Sequence, residues 1–94
     1  MSLEFEWDPR KAEFNLRKHR VSFREAATVF ADELSATFPD PDHSETEDRL
    51  LTIGMSDMGR LLIVAYTERD NHLRLISARE LTTTERGQYE ESNH

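Results

Sequence analysis

Lys11, Asn15, Lys18 and His19 have the types and the spacing to handle a phosphodiester. At helical pitch Lys11, Asn15 and Lys18 fall on one polar stripe, and His19 comes one turn after Asn15. Lysine and asparagine grip phosphates and sugars, and an imidazole exchanges a proton near neutral pH. The competing reading is a solvated helix face, with His19 placed where a helix C-terminus favours a cation. A second constellation lies near the other end of the chain. Arg79 stands at the exit of the alternating run 72–80, just ahead of Thr82-Thr-Thr-Glu85. A guanidinium beside free helix amides forms an anion site. The plainer alternative is an ion pair of Arg79 with Glu80, Glu85 or a loop acid.

Other site classes find little support. Asp40, Asp42, His43, Glu45 and Glu47 are dense in oxygen ligands but match neither a calcium loop nor an HExxH helix, so no metal site is assigned. The chain has three glycines and contains no GxSxG, Walker or GxGxxG run. No cofactor is implied.

The elements that must position these groups follow from pattern. Residues 3–7 alternate apolar and acidic side chains and predict a half-buried strand. Asp8-Pro9 supplies an N-cap and a first-turn proline for a helix to about His19, with Ala12, Leu16 and Phe14 facing inward. Ser22-Phe-Arg-Glu25 is a capping box, opening a helix with Phe23, Ala26, Ala27 and Phe30 on one face. Residues 34–38 read as a short strand stopped by Pro39-Asp-Pro41, and 40–48 as an acidic loop. Strands follow at 49–55, 61–68 and 72–80, separated by hairpin-length turns. In the last of these Leu73, Leu75, Ser77 and Arg79 share one face, with Arg74, Ile76 and Ala78 on the other. Thr82-Thr-Thr-Glu85 caps a terminal helix to about Glu91. The order β-α-α-β-β-β-β-α predicts an α+β domain with helices packed on a curved antiparallel sheet.

Ninety-four residues allow one domain, expected over 1–94 with its core between Phe5 and Tyr89 and a disordered tail at 92–94. The absence of cysteine excludes a disulfide scaffold and a thiol nucleophile and agrees with a cytoplasmic setting. The N-terminus has no signal-peptide pattern, and no apolar run approaches the roughly 20 residues of a membrane span. Net charge is −7, which opposes nucleic-acid binding in bulk. The charges are segregated, however. Residues 10–24 carry six Lys and Arg against Glu13, whereas residues 32–48 carry seven Asp and Glu and no base.

The run Phe5-Glu-Trp-Asp-Pro-Arg-Lys-Ala12, then Asn15-Leu-Arg-Lys-His19 and Val21-Ser-Phe-Arg-Glu-Ala-Ala-Thr-Val-Phe30, closely resembles the BrnT toxin family. The resemblance continues through Asp40-Pro-Asp-His-Ser44, Glu47-Asp-Arg49, Ile53-Gly54, Gly59-Arg60, Ile76-Ser-Ala-Arg79, Glu85-Arg86 and Tyr89. It implies a RelE-like fold, an endoribonuclease toxin that cleaves RNA without a metal to inhibit translation, and a BrnA-like protein antitoxin that alone brings it to operator DNA. On that template Arg79 stabilises charge, and His19 and Lys18 transfer protons or position substrate. Arg74, Arg60, Lys11 and Asn15 contact the RNA, and Tyr89 stacks on a base or packs the last helix. A rival reading is a catalytically weak binding subunit acting with its antitoxin as co-repressor. Two departures stand out: Arg20 occupies the usual glycine position after Lys-His, and Gly87 lies inside the last helix at a cost of about 1 kcal/mol relative to alanine.

Overall fold

The computed structural model describes residues 3–42 and 48–92. The strand β1 (Glu4–Glu6) leads into α1 (Pro9–His19), where the Asp8 carboxylate accepts the Arg10 amide at 2.8 Å. Next comes α2 (Phe23–Thr28), continued by a 3₁₀ turn at Val29–Ala31. Strands β2 (Ala36–Pro39), β3 (Arg49–Met55), β4 (Leu61–Arg69) and β5 (His72–Glu80) follow, and α3 (Thr83–Ser92) closes the chain. The element order is the expected one. The expected acidic loop is described only at its ends, residues 43–47 lying outside the described residues, as do 93 and 94 of the expected tail.

The five strands form one sheet in the order β1-β5-β4-β3-β2. Strands β2 to β5 pair antiparallel in sequence, and short turns join β3, β4 and β5, as expected. The β4–β5 turn places Asp70 and Asn71 at φ 48° and 68°, the left-handed pair that a two-residue hairpin needs. However, β1 joins the edge of β5 in parallel, because α1 and α2 carry the chain over the sheet before β2, so the sheet is mixed. Two ion pairs across this junction, His72 to Glu4 at 2.7 Å and Arg74 to Glu6 at 3.3 Å, match the Glu4–His72 and Glu6–Arg74 register.

The core lies between one sheet face and the first two helices. Val21, Phe23, Ala26 and Val29 meet Leu62, Val64, Tyr66, Leu75 and Ala78. Phe30 bridges Phe5 and Tyr66 at ring distances of 5.3 and 4.9 Å. The Tyr66 hydroxyl accepts from Thr52, so burial leaves it satisfied. Among the described residues, no helix is long and apolar enough to cross a membrane.

Three local expectations are corrected. Phe14 and Leu16 do not face inward but are 60% and 48% exposed, and the inward place is taken by Asn15 at 3%. Ser22 caps the Glu25 amide at 3.0 Å, but the Glu25 carboxylate does not return to it, being drawn to Arg60 and Ser56. Finally, a register shift at Ala65/Tyr66 leaves Ile76 as an extra residue on β5. Such a bulge turns the alternation by one position. Leu73 and Leu75 therefore pack inward, while Ser77 and Arg79 join the opposite face.

Candidate active-site groove

The face of the sheet turned from the core carries Arg49 and Leu51 of β3, Ile63 and Ala65 of β4, and Ser77 and Arg79 of β5. Helix α1 runs beside β5 and forms a wall. Between them lie three adjoining depressions. The first holds Lys11, Arg49, Arg69 and Arg74 with Asp48 and Glu68; the second holds Arg10, Lys11, Phe14, Lys18 and His19 over Ile76 and Ser77. The third, of about 310 Å³, brings His19 and Arg79 together with Arg49, Asp40 and Asp42. Shared walls at Lys11 and Ile76, at His19 and Ser77, and at Arg49 make them one groove.

His19 reaches this position because Asn15, one turn earlier, anchors α1. The Asn15 amide nitrogen donates to the Val21 and Ala78 carbonyls at 2.9 and 2.8 Å, and its oxygen accepts the Ala78 amide at 3.0 Å. Strand β1 pairs β5 only at 72–74, so the amide acts as the missing strand partner at Ala78. Arg20 then ends the helix at φ 60°, left-handed, with its amide bonded to Leu16. A glycine would hold this conformation without strain.

Arg79 lies in the groove but is not bare. Its guanidinium donates to both oxygens of Glu85, at 2.8 and 3.0 Å, and to the Glu80 carbonyl. Glu85 also accepts the Thr82 amide at 2.9 Å, and Thr82 caps Glu85 in return, completing the expected capping box. The Arg79 contact and the Thr82 amide hold the Glu85 carboxyl down at about 2, and the same contact raises Arg79.

Of the other expected residues, Lys11, Lys18 and Arg74 line the groove, Arg74 with its Glu6 partner. Arg60, Asn15 and Tyr89 have other tasks. Arg60 holds the buried Glu25 through Nε at 2.9 Å and a second close contact from its Nη2, which also donates to the Arg20 carbonyl at 3.0 Å. That pairing lowers the Glu25 carboxyl and raises the Arg60 guanidinium. Asn15 reaches the groove edge, but its polar atoms are taken up by backbone. The Tyr89 hydroxyl donates to the Leu34 carbonyl at 3.0 Å, pinning α3 to the segment before β2. Sequence reasoning passed over Arg49, Ser77 and Phe14. For Arg49 the signal was there, since alternation from the inward Thr52 and Gly54 places it outward with Leu51. Among the described residues no group of three or more His, Asp or Glu could hold a metal ion.

A crystal structure of the Brucella abortus ribonuclease toxin BrnT resembles this fold with a TM-score of 0.69 at 22% identity, covering 87% of this chain and all of that one. No curated protein matches the chain in sequence. Residues 7–85 match the sequence model described as "Ribonuclease toxin, BrnT, of type II toxin-antitoxin system". That stretch runs from Trp7 through the groove-lining strands to Glu85, and the chain belongs to the BrnT ribonuclease toxin family of type II toxin–antitoxin systems.

Proposed function

We propose that this chain is a metal-independent endoribonuclease that cleaves cellular RNA in the cytoplasm, inhibits translation and is neutralised by a BrnA-like antitoxin. The observation that carries the reading is the meeting of His19 and Arg79 in the lining of one depression of the groove. A ribose 2′-oxygen attacks the adjacent phosphorus and gives up its proton; the P–O5′ bond breaks and the 5′-oxygen takes a proton. The products are a 2′,3′-cyclic phosphate and a 5′-hydroxyl end. The nucleophile is internal to RNA, so the protein's part is proton transfer and charge stabilisation. His19 is suited to the proton transfers. Lys18 and Arg79 face the charge that develops on the phosphate, Arg79 by exchanging Glu85 for phosphate oxygens. Lys11 and Arg74 hold neighbouring phosphates.

Expression in bacteria tests this directly. Growth arrest with loss of RNA is expected, relieved by Arg79→Ala and by His19→Ala at matched soluble expression. With purified protein and chelator present, cleavage should fall about 10²–10⁴-fold for His19→Ala and about 10²–10³-fold for Arg79→Ala. A second reading, a weak binding subunit that serves its antitoxin as operon co-repressor, draws on the carboxylates that answer groove cations: Glu85 on Arg79 and Glu6 on Arg74. It predicts no arrest, no cleavage and a stable antitoxin complex, with operator DNA reached only through the antitoxin.

A further inference from the structure

Helix α1 sets an aromatic ring out in water at the groove wall. Phe14 is 60% exposed, although Ala12 and Asn15 show that the same helix has an inward side for its other residues. The depression beneath it, about 490 Å³, has Ile76 and Ser77 as its floor and Arg10, Lys11, Lys18 and His19 around its rim. The Lys18 ammonium lies 5.6 Å from the ring centroid. No carboxylate lines this depression among the described residues, whereas Asp48 and Glu68 line one neighbour and Asp40 and Asp42 the other. Glu13, next along the helix, pairs instead with Arg17 at 3.7 Å. The occupant that suits this place is flat and apolar at its centre and anionic at its edges.

We propose that Phe14 is a nucleobase platform, on which one base of a single-stranded RNA stacks while Lys11 and Lys18 hold the flanking phosphates. The inference rests on the ribonuclease reading of the groove and adds a binding subsite to it. A base inside a duplex already stacks on its neighbours, so the platform selects unpaired RNA. A ring stacks on any base, so the subsite contributes affinity and register with little sequence preference. Phe14 does not touch the reacting atoms; it fixes which nucleotide stands beside His19.

The test uses the full chain and a fluorescently labelled, fully 2′-O-methylated RNA octamer, which lacks the attacking hydroxyl and survives the measurement. Binding is read by anisotropy against salt. Phe14→Ala should weaken binding by about 5- to 100-fold, with Phe14→Trp restoring it. The salt dependence should stay unchanged, because no cation is lost. Octamers with a single abasic position should show the coupling: at one position the base-free strand binds both proteins alike, so that the two losses are not additive. Circular dichroism melting confirms that the variants fold. Equal affinity of wild type and Phe14→Ala overturns the platform and leaves the ribonuclease reading standing. So does a Phe14→Ala defect confined to the antitoxin complex, which makes the ring a protein contact. Failure of the wild-type chain to bind the octamer overturns both.

Discussion

A guanidinium held through two parallel contacts, as Arg79 is by Glu85, presents the same bidentate face that a phosphate takes. Side-chain exposures of 38% and 33% leave the pair open to an incoming anion. Glu85→Gln should therefore raise affinity for the uncleavable octamer severalfold at low salt, measured beside a stability curve. The same change costs fold stability. The Glu85 carboxyl lies at about 2 in the folded protein against an ordinary 4.5, so its stabilisation is complete above about pH 4.5 and is lost as pH falls toward 2. After allowance for solvent screening, Glu85→Gln is expected to destabilise by about 1 kcal/mol at pH 7. The deficit should shrink steadily in urea melts taken between pH 4.5 and 2. A deficit constant over that range would show that the carboxylate charge contributes nothing.

At the scale of elements, the groove depends on one helix lying at the right height beside one strand, and Asn15 sets that height. Its amide offers a donor and an acceptor where a neighbouring strand would. Asn15→Asp keeps the shape but replaces the donor with a charge facing the Val21 and Ala78 carbonyls. It should cost about 2–4 kcal/mol in chemical denaturation, the range for a buried hydrogen-bonded group left mismatched. The contrasting change is Arg20→Gly, which relieves a left-handed residue and should stabilise by about 0.5–1 kcal/mol in the same melts. Arg60 keeps its hold there, since it bonds the Arg20 carbonyl rather than the side chain. Only one of these two features was visible in the sequence. The strain at Arg20 could be anticipated because a glycine position is a backbone requirement. The burial of Asn15 could not, because a polar residue on a polar stripe looks solvated until the strand edge that needs it is in place.

Across the whole molecule, local signals were legible and long-range ones were not. Caps, turns and period-two runs placed the strands and helices, since each depends on neighbours within a few residues. The parallel docking of β1 and the bulge at Ile76 are decided by the partner strand, and the bulge turned Ser77 and Arg79 to the groove. Partnership was hidden for two of three arginines: the sequence offered Glu85 to Arg79, but neither Glu25 to Arg60 nor Glu6 to Arg74, and all three pairs form. The net charge of −7 thus understates the groove, where Arg10, Lys11 and Lys18 surround a depression without carboxylates among the described residues. If a single strand displaces counterions from about three to four phosphates there, the logarithm of its affinity should fall with log salt at a slope of about −2 to −3. Lys11→Ala and Lys18→Ala should each make the slope shallower by about 0.7, one phosphate's share for single strands. Arg74→Ala should change it less, because Glu6 already neutralises part of the Arg74 charge before any phosphate arrives. Equal effects from all three substitutions would mean that the Glu6 pair opens fully on binding, and a flat salt dependence would remove phosphate contacts from the groove altogether.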